Sequence, residues 1–310
     1  MMDAIATTGS FAGAARQLGK VPSALTYAVR QLEDALDVLL FDRSSRQARL
    51  TAAGQELLDE GRRLLAQIDA VANRVQRVAT GWETSLAIAY DQAVCRPTLL
   101  DLCADFSRTG NEPPPTRLVL RPEVLAGTWE ALLTGRADLA IGVPADRAAP
   151  PDIGLADLGP LPFVFVAAPN HPLADVPEPL SDAELMRHRA VAIADSATRL
   201  TPITVNLLPG QEVLTVGDVE MKLEAIARGL GVGFLPAPTV EAAVADGRLV
   251  TRRVARAEGA PVPRLAYAWR QPAREGRVQP PGRALAWWLE RLGHETTRQA
   301  LLRPAAPGRA

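Results

Sequence analysis

The chain has 310 residues, 47% of them hydrophobic and 22% charged, which gives enough length for two or three packed domains. A formal net charge of −1 argues against a nonspecific nucleic-acid coat and leaves room for a local DNA-binding face. Cys95 and Cys103 lie eight residues apart on one predicted helix and cannot close a local disulfide, so both are expected as packing residues. The scattered His171, His188 and His294 have no partners at ligand spacing, so neither a metal site nor any other cofactor is expected.

In chain order, the first informative stretch runs from Gly9 to Thr51. Ser10 is placed to cap a helix formed by FAGAARQL, and Gly19 ends it. Pro22 suits the first turn of a second helix, where its missing N–H is not needed, and Ser23 could help cap the same end. Spacing by three and four turns Ala24, Leu25, Ala28, Val29, Leu32, Leu36 and Leu39 inward, which leaves Ser23, Thr26, Tyr27 and Arg30 outward. A short basic hairpin carrying Arg43, Ser44, Arg46 and Arg49 follows.

Hydroxyls and cations on an exposed second helix suit base edges, which makes Ser23, Thr26, Tyr27 and Arg30 the base-facing set. Arg43, Ser44, Arg46, Arg49 and Lys20 in the turn suit the phosphate backbone, and the capping Ser10 is counted with the DNA-binding residues. From Arg16 to Arg49 the cations Arg16, Lys20, Arg30, Arg43, Arg46 and Arg49 only mildly exceed Glu33, Asp34, Asp37 and Asp42. Affinity is therefore expected to rest on dimerisation and base contacts as well as on counterion release.

The runs GSFAGAARQLG, PSAL, RQLEDALDVLLFDR and LTAAG strongly resemble the winged helix-turn-helix of LysR-type transcriptional regulators, and VPSAL with GWE resembles a YhaJ-like branch of that family. Two departures stand out. Many relatives carry Gln and Arg where this chain has Pro22 and Tyr27, so site preference is expected to differ; and Met1 begins inside the family's first helix, which implies an upstream start or a partly frayed module.

Thr51 caps a predicted helix that runs without proline from Ala52 to Thr80 and stops at Gly81. Leu57, Gly61, Leu64, Ile68, Val71, Val75 and Val78 alternate by four and three, the spacing of a seam between paired helices. A homodimer or homotetramer would present recognition helices about one DNA turn apart to an inverted repeat in double-stranded DNA.

Beyond GWET, strands TSLAIAY, TRLVLR and ADLAIGV alternate with helices AVCRPTLLDLCADFSR and VLAGTWEALLTG, which predicts a mostly parallel sheet covered on both faces. A second block holds strands PFVFVAAP, RAVAIAD, EVLTVGD and LGVGFLP with helices MKLEAIARG and PTVEAAVADG, and LAYAWR returns to the first block. Gly229, Gly231 and Gly233 follow a helix and open a strand, the wrong context for a dinucleotide fingerprint. LLTGRADLAIG resembles a LysR effector-domain motif, and the two blocks resemble the periplasmic-binding-protein architecture of that family.

The expected fold class is therefore α/β, with an N-terminal winged helix-turn-helix at 1–51, a long linker helix at 52–81 and a periplasmic-binding-protein-like effector domain of two α/β subdomains at 82–298. Subdomain I takes 82–161 and 267–298, subdomain II takes 162–266, and 299–310 are expected as a disordered tail. Ligands of α/β sheets gather at strand carboxyl ends, which singles out Asp91, Gln92, Arg121, Glu123, Asp195, Ser196, Thr198, Gly217 and Asp218. The resemblance implies a small organic effector there, aromatic or anionic, and a transcriptional regulator rather than an enzyme. The sparse histidines supply no convincing nucleophile and base, which also disfavours an enzyme. With no apolar stretch long enough for a bilayer and no signal peptide, cytoplasmic localisation without a membrane partner is expected.

Overall fold

A computed structural model describes residues 1–42, 48–203, 205–271, 273–274 and 277–303. Two compact units, Met1–Val71 and Ala72–Ala310, divide the chain.

In the first unit, α1 (Met2–Thr8), α2 (Phe11–Gln17) and α3 (Pro22–Leu36) precede a ladder of β1 (Phe41–Asp42) with β2 (Arg49–Leu50), and α4 (Ala52–Thr80) begins. Ser10 caps α2 as expected, its hydroxyl accepting the Gly13 N–H at 2.9 Å. Gly9 and Gly19 adopt left-handed conformations, φ 64° and 62°, at the two helix joints. Pro22 opens α3, but no side chain caps that helix, so Ser23 does not help there. Ile5, Ala14, Ala15, Leu25, Val29, Leu40, Phe41 and Leu58 form the core, and the Phe11 and Phe41 rings meet edge-on at 5.5 Å.

The inward stripe of α3 is narrower than its spacing predicts. Leu25, Val29 and Glu33 form the buried line, whereas Ala24, Leu32, Leu36 and Leu39 are exposed, Leu36 by 49% and Leu39 by 68%. The core of this small unit covers one i, i+4, i+8 row of α3 and no more. Glu33 lies on that row because its carboxylate has donors: Oε1 accepts the N–H groups of Leu40 (2.9 Å) and Phe41 (3.2 Å), tying the end of α3 to the first hairpin strand. Thr51 then donates to the Leu39 carbonyl at 2.7 Å and accepts from Gly54 at 3.0 Å, which makes it the cap of α4. A Cβ at Gly54 would stand 2.0 Å from the Leu40 carbonyl oxygen, so the close approach requires glycine.

In the second unit, β3 (Ser85–Asp91), α5 (Arg96–Ser107), β4 (Arg117–Glu123), α6 (Ala126–Leu133) and β5 (Leu139–Pro144) are followed by β6 (Ile153–Pro160) and β7 (Phe163–Ala167). Next come α7 (Asp182–Leu185), β8 (Ala190–Ile193), β9 (Val213–Val216), α8 (Val219–Ala227), β10 (Gly233–Pro236), α9 (Ala237–Ala245), β11 (Val250–Arg252), β12 (Arg264–Arg270), α10 (Arg283–Gly293) and α11 (Glu295–Leu301). One sheet has the order β4-β3-β5-β12-β6, parallel across β4, β3 and β5 but antiparallel at β12. Its faces are covered by a cluster around Leu86, Ile88, Phe106, Trp287 and Trp288 and by another around Ala89, Trp129, Leu132 and Ala268.

The other block sets β10 and β11 antiparallel to β7, with β8 parallel to β9, and Val191 N–H donates to the Val232 carbonyl to join the pieces. The sheets are thus mixed, not mostly parallel. Strand β12 is responsible in the first, since it runs antiparallel to both β5 and β6; β6 itself was not expected, because DIGLADLGP has no continuous apolar run, yet it pairs with β12 from Ile153–Arg270 to Pro160–Arg264. These neighbouring strands carry the chain out to the second block and back.

The expected tail also starts too early. α11 extends to Leu301, and Leu301 and Leu302 are buried against the Trp288 cluster, because two consecutive leucines complete a face that would otherwise be wet. Residues 304–310 lie outside the described residues.

Glu33→Ala should cost about 1–3 kcal/mol by leaving two buried N–H groups without an acceptor. Hydrogen exchange at Leu40 and Phe41 is the measurement; unchanged protection there would contradict the anchoring role.

Candidate functional site

In the helix-turn-helix, Ser23, Tyr27 and Arg30 are exposed along one face of α3, and Thr26 is half-buried with its hydroxyl donating to the Pro22 carbonyl at 3.0 Å. The Tyr27 hydroxyl accepts from the Gln31 amide at 2.9 Å, which fixes the ring at the helix surface. Lys20 is exposed in the turn and Arg49 on β2, whereas Ser10 is committed to its cap. Arg43, Ser44 and Arg46 lie outside the described residues.

Helix α4 spans 29 residues. Leu57 and Gly61 on the expected seam are half-buried, but Leu64, Ile68, Val71 and Val75 are exposed, Ile68 by 63% and Val75 by 64%. Leu65, absent from the expected seam, adds a further exposed apolar side chain. The Val78 side chain lies outside what is described.

A cavity of about 80 Å³ opens in the second unit between the ends of β3 and β4 on one side and β7, β8, β10 and the start of α8 on the other. Asp91, Gln92, Val124 and Leu125 come from the first sheet's side, Ile193, Val219, Lys222 and Phe234 from the second, and Phe163 from the entry to β7. Asp91 ends β3, its oxygens accepting Ala93 N–H at 2.9 Å and Leu125 N–H at 2.8 Å. Burial pushes its carboxyl up to about 6; the two backbone hydrogen bonds oppose the rise and neighbouring Asp195 adds to it. Gln92 accepts the Val219 N–H at 3.2 Å, joining β3 to the start of α8.

Beside the cavity the loop after β8 is latched to the first block by the buried Glu123 and Glu130 and the half-buried Asp195. Asp195 accepts from Ala126 and Gly127 at the start of α6, both at 3.2 Å, as well as from Ala197 and Ile203 in its own loop. Ser196 donates to Glu123 at 2.6 Å and accepts from Val124 at 2.9 Å. Glu130 accepts from the N–H groups of Thr198, Arg199 and Leu200 and from the Thr198 hydroxyl, at 2.7–3.0 Å. Burial pushes the Glu130 carboxyl up, yet those donors outweigh it and hold the group below its ordinary value. Arg136 pairs with Glu123 at 2.8 Å and reaches Glu130 at 3.4 Å.

Of the nine candidate effector residues, Asp91 and Gln92 line the cavity, while Glu123, Asp195, Ser196 and Thr198 form the latch at its edge. Arg121 is exposed on the outer strand β4, Gly217 is exposed, and Asp218 caps α8 by accepting from Met221 at 2.6 Å; none of these three lines the cavity. Sequence reasoning missed Glu130 and Lys222, which sit within α6 and α8 rather than after strands. For Glu130 the signal was a lone charge in an otherwise uncharged helix, whereas Lys222 stands among Glu220 and Glu224 and only its burial marks it.

Among known proteins, residues 1–55 match the model of the bacterial regulatory helix-turn-helix protein, lysR family, and residues 79–296 match that of the LysR substrate binding domain. The probable HTH-type transcriptional regulator YhaJ of Escherichia coli K12 is 40% identical over 292 residues, covering 94% of this chain and 93% of its own length. The HTH-type transcriptional regulator PunR of the same strain is 35% identical over 301 residues, 96% of this chain and 92% of PunR. Among solved structures, full-length CbnR complexed with its target DNA aligns at TM-score 0.53 and 19% identity over 93% of this chain and 95% of that one. Full-length LysG of Corynebacterium glutamicum with bound effector Arg aligns at 0.52 and 22% over 98% of each. These two structures share the fold with this chain.

Folding raises the Asp91 pKa, so its protonated form favours the folded state and the linked stability should fall as pH climbs from 3.8 to about 6, with no further loss above. Unfolding measured against pH should show that slope, and Asp91→Asn should remove it. A Cβ at Gly127 would stand 1.8 Å from the Ser196 hydroxyl oxygen, so Gly127→Ala should break the latch. Increased hydrogen exchange across 195–200 is the expected sign.

Proposed function

The chain belongs to the LysR family of DNA-binding transcriptional regulators, and from that premise we propose how its parts divide the work. The matched relatives are transcriptional regulators and not enzymes. The single observation that carries the reading is one chain holding both an exposed Ser23-Tyr27-Arg30 face on α3 and a cavity between the two blocks of its second unit.

Ser23, Thr26, Tyr27 and Arg30 read base edges in the major groove, and Lys20, Arg43, Ser44, Arg46 and Arg49 hold phosphates. Ser10 contributes through the cap that sets the angle of α2. Pro22 and Tyr27 shift the preferred site from that of relatives with Gln and Arg there. Two copies pair through the α4 seam of Leu64, Leu65, Ile68, Val71 and Val75, whose exposure supports a homodimer or homotetramer reading an inverted repeat. Among the described residues no helix is long and apolar enough to cross a membrane, and the place of work we assign is the cytoplasm, beside the DNA.

A small organic effector, aromatic or anionic, occupies the cavity against Asp91 and Gln92. Its binding alters the latch formed by Glu123, Asp195, Ser196 and Thr198, and with it the arrangement of the two blocks. Regulation requires that the effector bind one arrangement more tightly than the other, since equal affinity shifts nothing.

Genome-wide mapping of the DNA bound by the full chain tests the reading. An enriched inverted repeat with half-sites about one helical turn apart is expected, and the absence of any enriched motif would overturn it. Arg30→Ala should lower specific relative to nonspecific affinity by about 1–3 kcal/mol, measured by competition binding; an unchanged ratio rejects the base contact. Ile68→Glu should dissociate the pair in sedimentation and weaken operator binding steeply. A variant that still sediments as the native oligomer would remove the seam from the interface.

A further inference from the structure

Of the two charged side chains that line the cavity, Asp91 is held by backbone N–H groups and Lys222 is the one that the latch and the hydrogen bonds leave unused. It lies on the second turn of α8, only 9% exposed, and lines the space shared with Phe163, Phe234, Ile193 and Val219. No carboxylate and no other side chain among the described residues bonds its ammonium, and burial alone pushes its pKa down to about 8. The room for its side chain is kept by Gly233, whose Cβ would come within 3.3 Å of Lys222 Cε.

Elsewhere around the cavity, charge is met. Asp91 has Ala93 and Leu125, Asp195 has the start of α6, and Glu130 has four donors from the loop after β8. The Lys222 ammonium keeps contact with solvent, and an anion placed against this largely desolvated side chain would supply the counter-charge that no described side chain provides. The N-terminus of α8 lies on the same wall, and its dipole adds to the positive potential that an anion would meet there. The remaining lining is carbon-rich and includes two aromatic rings, so the anion's body has to be apolar.

We propose that Lys222 is the anion-binding group of the effector cavity, and that its ligand class is an organic monocarboxylate with a compact apolar body, the carboxylate on Lys222 and the body against Phe163 and Phe234. This rests on the reading of the cavity as the effector site. It excludes sugars and other neutral polyols, which would leave the ammonium unpaired, and dianions, which would bring a second charge into apolar surroundings without a partner.

The test uses the full chain and three probe pairs: benzoate and benzamide, phenylacetate and phenylacetamide, hexanoate and hexanamide, each by calorimetric titration. At least one carboxylate is expected to bind at least tenfold more tightly than its amide, and Lys222→Met is expected to erase that preference. Lys222→Gln, similar in length and neutral, should do the same, and near-UV circular dichroism of both variants reports whether the cavity keeps its packing. If no carboxylate binds, or if both folded variants bind it as tightly as the native chain, the proposal falls. If a carboxylate binds through Lys222 and operator affinity is the same with and without it, the anion site stands and its role as an effector site falls.

Discussion

A carboxylate taken out of water must be given donors, and this chain meets that requirement at nearly every joint between segments distant in sequence. Glu33 holds the backbone of Leu40 and Phe41; Glu83 holds Ala284 at the start of α10; Asp138 holds Ala87 at β3; Asp91 holds Leu125; Asp195 and Glu130 hold α6 and the loop after β8 together. Each link is a charge-assisted hydrogen bond to backbone N–H groups, which strand ladders and helices do not use at their ends. Removing any one leaves donors without partners, so such joints define where each segment must sit.

That constraint also explains what the cavity is. Loops at strand ends converge there, as in other α/β sheets, but most of their polar groups are spent on one another across the gap between the two blocks. The latch residues fix how the blocks meet, while Asp91, Gln92 and Lys222 remain on the wall. The side chains that join the blocks are thus not the ones left facing the space between them.

Much of this was legible in the residues. The caps at Ser10 and Thr51, the stops at Gly19 and Gly81, and every strand with an unbroken apolar run stand where periodicity put them, because those signals are local and depend on backbone geometry. What escaped depended on partners remote in sequence. Strand β6 is recognisable only beside β12, Leu301 and Leu302 only beside the tryptophans of α10, and the narrow buried row of α3 only from the small area that packs on it. Within the cavity the same division holds: Asp91 and Gln92 follow a strand and were visible, whereas Lys222 is one lysine among several charged residues on a helix, and only burial distinguishes it. The position of Arg121 on an outer strand shows the converse, an exposed cation at the expected strand end that does not line the cavity.

The side-by-side passage of β6 and β12 has a mechanical meaning. Two separate flexible linkers would let the blocks slide, tilt and rotate independently, and the free energy of ligand binding would be spread over all those motions. A hydrogen-bonded ribbon seven rungs long, from Ile153–Arg270 to Pro160–Arg264, is stiff along its length and in its own plane, and gives way most easily by flexing where it leaves the sheet. The two crossings to the second block therefore leave the sheet side by side, where Leu161 N–H donates to the Pro263 carbonyl at 2.8 Å, and the chain between the blocks is confined to that one edge.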